Sequence, residues 1–156
     1  MRESDAEQIR LLCGHHRCGF LSTTGEFGPE SSMVPFAMDG GGAPLLHLSG
    51  IARHSRNLAA DARAGLMICT AEQAGVSVLA LPRLSLQGVV EPVSDSALAA
   101  GRAAYLQRMP DAAPLFDFPD FRLYALQLQR VYWIAGFGSA RELSLQGWHR
   151  MWSTGS

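Results

Sequence analysis

Three consecutive glycines, in the string Asp39-Gly40-Gly41-Gly42, separate two apolar runs at 31–38 and 44–49. A stretch so free of side chains suits a tight reversal, so the two runs read as strands of one antiparallel hairpin. The same punctuation recurs along the chain. A strand at 18–24 ends at Gly25, and Gly28-Pro29 turns the chain into the strand at 31–38. Further strands are predicted at 65–70, over 76–81 and 84–93 (one long strand region interrupted at Pro82), and over 122–135. Helical patterns lie between them. Ser4-x-x-Glu7 reads as a capping box ahead of Ile9, Leu11 and Leu12, and predicts a helix at 4–13. The alanine-rich segment 51–60 predicts a second helix, which Asp61-Ala62-Arg63 ends. Ser94 caps a third at 95–108, with Leu98, Ala99, Tyr105 and Leu106 on one face. Six or seven strands, mostly hairpin-linked, with two or three helices, describe a mainly β (α+β) domain: an antiparallel barrel with helices at its edges.

At 156 residues and 47% hydrophobic composition the chain is sized for one compact domain. Only 17% of its residues are charged, which excludes a long disordered or coiled-coil protein. No apolar run approaches the ~18 residues of a membrane span. The polar start, MRESDAEQIR, lacks the basic and apolar regions of a signal peptide. A cytoplasmic protein with no membrane partner is the expectation. A net charge of -1 calls for no nucleic-acid partner either.

Two compositional details narrow the chemistry. The chain has no lysine, so all 13 basic residues are arginine. Any anion site must therefore use guanidinium, imidazole, hydroxyl or backbone N–H groups. Three cysteines, Cys13, Cys18 and Cys69, argue against a disulfide framework. The string Cys13-Gly-His-His-Arg-Cys18 does not follow zinc-ligand spacing, so no metal site is predicted there and the thiols read as inert and buried. His15 and His16 fall at the C-terminus of the first helix, where imidazolium favours the dipole.

The segment 45–58 concentrates the reactive residue types. A strand ends at His47-Leu48-Ser49, Gly50 follows, and a helix opens with Arg53-His54-Ser55-Arg56-Asn57. Helix N-termini bind phosphate through free N–H groups, and arginine adds bidentate charge-assisted bonds. A solvated, arginine-bearing helix face has the same composition. Arg83, on a later apolar strand, is a charge that needs a partner.

The string SSMVPFAMDGGGAPLLHLSGIARHSRNLAADARAGLMI, followed by RLSLQG, resembles the core of the FMN-binding split barrel, the pyridoxamine 5'-phosphate oxidase-like superfamily. It is most similar to that superfamily's haem-utilisation branch. The resemblance implies an antiparallel split β-barrel domain at 1–143, a short C-terminal tail at 144–156, and a homodimer with FMN at its interface. It assigns Ser32, Met33 and Val34 to the strand along the flavin, and His47, Leu48 and Ser49 to the strand end near the phosphate. Arg53 and His54 match the basic pair that clamps the phosphate, where the second member is commonly lysine, and Asn57 fits the polar position one turn on. Arg83 flanks the ring, and Trp133 and Arg141 match late strands that reach the flavin from the other subunit. An FMN-dependent oxidoreductase acting on a small-molecule substrate follows, with no residue marked as catalytic acid or base. Glu142-Leu143 after Arg141 departs from the Arg-x-His pair of true pyridoxamine phosphate oxidases, so that activity is not expected. The alternative is a haem-binding or haem-degrading protein on the same barrel, with His149 as the iron ligand. A non-catalytic flavin-binding or regulatory module is the second alternative.

Overall fold

The Asp39 hairpin forms as expected. In the computed structural model, which describes residues 1–154, β3 (Ala37–Met38) pairs with β4 (Pro44–Ser49), with Ala37 opposite Leu45. The Asp39 carboxylate accepts the backbone N–H groups of Gly41 and Ala43 at 2.9 and 2.8 Å, which closes the turn. Gly42 sits at φ +84°, and Trp152 and Trp148 pack where a side chain there would go.

The remaining elements are α1 (Glu3–His15), β1 (Cys18–Gly25), β2 (Gly28–Pro35), α2 (Arg53–Ala60), β5 (Arg63–Cys69), β6 (Arg83–Pro92), α3 (Asp95–Arg108), β7 (Phe121–Ile134), β8 (Ala140–Leu143) and α4 (Leu145–Ser153). Short 3-10 segments lie at Val78–Ala80 and Pro110–Asp117. Every ladder is antiparallel, in the order β2-β1-β5-β6-β7-β4-β3, with β8 on β7. The sheet curls until β2 approaches β4, with no ladder between them. This is the expected antiparallel split barrel with peripheral helices.

Period-two alternation puts one face of the sheet inside. Leu21, Ile68, Leu84, Leu86 and Trp133 form a core that α1 covers with Ile9 and Leu12. α4 contributes Trp148 and Met151 to that same core, so residues 145–153 are a helix packed on the barrel. Its first turn is capped by Ser144, whose Oγ accepts the Gly147 N–H. A smaller cluster sits under α3, where Tyr105 and Met109 meet Leu45, Leu123 and Ala125. Burial pushes the Cys13 thiol up to about 12, so it is an inert core residue, whereas Cys18 is exposed. Among the described residues no helix is long and apolar enough to cross a membrane.

Four local expectations differ from the structure. Ser4 is inside α1, not its cap: the helix starts at Glu3 with Arg2 at the cap position, two residues earlier than a Ser4 cap would allow, and the Arg2 carbonyl accepts the Asp5 N–H. The strand expected at 31–38 begins at Gly28 and breaks at Phe36, whose N–H donates to the Arg17 carbonyl. Residues 76–81 form no strand, because β5 already lies between β1 and β6 and leaves no edge for them to join. Val76, Val78 and Leu79 are instead exposed, and the loop is closed by Thr70 donating to the Pro82 carbonyl. On α3, Tyr105 is buried as expected, but Leu98 and Ala99 face solvent. Gly101 provides the close approach to Leu123 instead.

Candidate functional site

A cleft of about 380 Å³ opens where β2 and β4 meet α2, α3 and the 110–117 segment. That volume is within the range of small-molecule sites. Six of the residues expected from sequence line it: Met33, Val34, His47, Leu48, Ser49 and His54. Tyr105, Met109, Leu115 and Phe121 complete an apolar wall, with Asp111 at one side.

The two imidazoles differ in setting. His47 projects from β4 and is 5% exposed. Its ring lies flat on Phe116 at 3.8 Å, with Tyr105 edge-on at 5.7 Å. Arg102 sits over Phe116, 5.0 Å from the ring centroid. The His47 Nδ1 is buried with no hydrogen-bond partner. Burial, reinforced by the Arg102 charge, holds the His47 pKa below the ordinary 6.5. His54, in the first turn of α2, is half-buried, and burial lowers its pKa too. Its Nδ1 lies 3.4 Å from the Ser32 hydroxyl. Both shifts favour the neutral ring.

A neutral folded-state imidazole makes stability depend on pH. The unfolded chain takes up protons at 6.5 while the folded one resists, so stability is full above 6.5 and is lost as pH falls toward the folded-state values. Thermal melts are expected to show a lower midpoint at pH 5.5 than at pH 7.5. His47→Phe should reduce that dependence and leave the part due to His54.

The expected anion clamp is assembled but engaged. Arg53 donates through Nε and Nη2 to Glu30 Oε1 at 3.0 and 2.8 Å. Asn57 Nδ2 donates to Glu30 Oε2 at 2.7 Å and to the Thr23 hydroxyl at 3.1 Å. These bonds, the Asn57 one first, hold the Glu30 carboxyl below its ordinary range. Ser49 donates to Asp120 Oδ2 at 2.7 Å, and the Gly50 N–H donates to the Asp120 carbonyl. Three of the groups expected to hold a phosphate thus hold this chain's own carboxylates.

The other expected residues are elsewhere. Arg83 Nη1 donates to the Leu81 carbonyl at 2.9 Å and braces the 70–82 loop. Trp133 is fully buried and donates to the Asp5 carboxylate at 3.3 Å, which leaves no face free to reach a ligand across an interface. Arg141 binds the same Asp5 oxygen at 2.8 Å, tying α1 to β8. His149 is exposed on α4, with its Nδ1–H donating to the Gly41 carbonyl at 3.1 Å. That contact is at the hairpin end of β4, and the cleft is at the Ser49 end. Among the described residues no group of three or more metal-ligating side chains converges.

A second cavity, of about 540 Å³, is lined by polar groups on β1, β5 and β6 such as Ser22, Thr24 and Gln87, and contains none of the expected residues. The first cleft is therefore the candidate site.

Comparison with known proteins identifies the family. The sequence pattern of the family described as "CREG, beta-barrel" matches residues 2–150. The chain belongs to that family. It is 34% identical over 142 residues to the Arabidopsis thaliana protein "Non-canonical heme oxygenase HOZ, chloroplastic", covering 89% of this chain and 43% of that protein. It is 31% identical over 119 residues to "Heme oxygenase HutZ" of Vibrio cholerae, covering 74% of this chain and 67% of that one. A solved heme binding protein from Mycobacterium smegmatis superposes with a TM-score of 0.85 at 36% identity, over 96% of this chain and 62% of that one. The architecture is that of the pyridoxamine 5'-phosphate oxidase-like split barrels, and the haem-utilisation branch fits.

Proposed function

We propose that this CREG β-barrel protein binds haem in the cleft between β2, β4, α2 and α3, and that oxidative haem breakdown is the activity to assay. One observation carries the choice over FMN. The groups suited to a flavin phosphate already hold Glu30 and Asp120, so a phosphate would have to displace two carboxylates. Beside them lies an apolar cleft whose lining includes imidazole, a side chain that suits iron in a hydrophobic macrocycle. Relatives named as haem oxygenases or as a haem-binding protein support the reading. Haem, when bound, supplies an iron that exchanges electrons and takes small ligands. The chain's own residues would exclude water through Leu48, Met109, Leu115 and Phe121, and offer a nitrogen lone pair.

Leu115→Asp sets a carboxylate on the apolar wall and is expected to weaken haemin binding at least about tenfold, with the far-ultraviolet circular dichroism unchanged. Unaltered affinity in that variant would remove haem from this cleft.

We also propose that a second copy of the chain covers the outer face of the sheet. Met33, Phe20 and Met67 follow one another across β2, β1 and β5, with Tyr132 on β7 beyond Ser85 of β6, and Phe20 and Met33 are 51% and 64% exposed. Sedimentation should show a dimer, and Met67→Arg should shift it to monomer. A monomeric wild-type protein would contradict this.

A further inference from the structure

We propose that His54, at the start of α2, is the side chain that ligates haem iron, an assignment that rests on the haem reading above. A histidine that ligates haem iron does so through an unprotonated nitrogen turned to the cleft, with the other nitrogen commonly fixed by a neighbour. His54 is half-buried in the cleft wall. Its Nδ1 faces the Ser32 hydroxyl, which leaves Nε2 without a protein partner among the described residues. The Ser32 hydroxyl can accept as well as donate, and the tautomer in which Nδ1–H donates to it keeps the lone pair on Nε2.

The other imidazoles fit less well. His47 is wedged flat against Phe116 and edge-on to Tyr105, and at 5% exposure it forms part of the wall rather than a reachable donor. His149 is bonded to the Gly41 carbonyl at the far end of β4. His16 has its Nδ1 at 2.9 Å from the Leu12 carbonyl, at the end of α1. His15, in the last turn of α1, is exposed and lines none of the cavities described.

Met33 and Leu115 line the same cleft as His54, and would flank a haem held there. Arg53, the next residue along, keeps its Glu30 pair and takes no part in ligation.

The test is the absorption and electron paramagnetic resonance spectrum of the ferric haem complex. Wild-type protein, His54→Gly, and His54→Gly with added imidazole are compared, with His149→Ala as the unchanged control. His54→Gly should lose the imidazole-ligated signature and bind haemin at least about tenfold more weakly, and free imidazole should restore the wild-type spectrum. His54→Gln, which retains a polar side chain beside Ser32, should lose the signature as well, and guards against a folding defect in the glycine variant. A wild-type spectrum from both His54 variants would overturn the assignment while leaving haem in the cleft. Loss of the signature in His47→Phe or His149→Ala, but not in the His54 variants, would also overturn it. Failure of the wild-type protein to bind haemin would instead sink the haem reading, and the assignment with it.

Discussion

Trp148→Ala is expected to lower the unfolding free energy by about 3–5 kcal/mol, the range for removing a buried tryptophan. Trp148 is fully buried in the main core, beside Trp152, with ring centroids 5.8 Å apart. Its Nε1–H donates to the Gly42 carbonyl at 2.9 Å. Alanine would therefore leave both a cavity and an unpaired carbonyl at the hairpin that organises β3 and β4. The effect reaches the barrel because α4 fastens that hairpin from outside the sheet. Urea unfolding followed by tryptophan fluorescence and circular dichroism should give coincident transitions, with the midpoint sharply reduced in the variant. A loss below about 1 kcal/mol would mean that α4 is an ornament on the barrel rather than part of its core.

Glu30→Ala is expected to raise affinity for FMN by roughly tenfold, because it frees one guanidinium and one amide that now grip a carboxylate. Arg53 and Asn57 both close on Glu30, one on each oxygen, which is how they would hold two oxygens of a phosphate. The same substitution should leave haemin affinity unchanged, since Glu30 does not line the cleft. Quenching of FMN fluorescence reads the first effect and haemin absorption the second. Equal FMN affinity in the variant and the wild type would mean that the 49–57 segment is no anion site at all.

The architecture was legible because its decisive signals are local. Three glycines following Asp39 allow little but a hairpin, and strict alternation in β1 assigns each side chain to a face. Residues 76–81 misled because a short apolar run carries no information about whether a neighbouring strand has a free edge. The site was half legible. Residues 47–54 do gather at one cleft, yet the residue that changes their meaning, Glu30, was overlooked. With the second strand read from 31, Glu30 lay outside it. In the true strand it shares the inward parity with Ser32 and Val34, and a charge on that side is the signal that could have been found. Asp120 gave no such signal, because its contact with Ser49 joins segments 71 residues apart. Trp133 and Arg141 were assigned outward roles by the resemblance, and Asp5 on α1 draws both inward through a long-range contact that no periodicity reveals. His149 drew attention as the only tail histidine, yet the β3–β4 hairpin claims its ring.

The central claim is that the cleft takes haem in preference to a flavin. An absorption titration of the purified protein with haemin, and a parallel one with FMN, tests it most directly. A saturable Soret band at one haemin per chain, with no FMN retained after desalting, is the predicted result. A flavin spectrum that survives desalting, with haemin binding no tighter than to an unrelated protein, would contradict it.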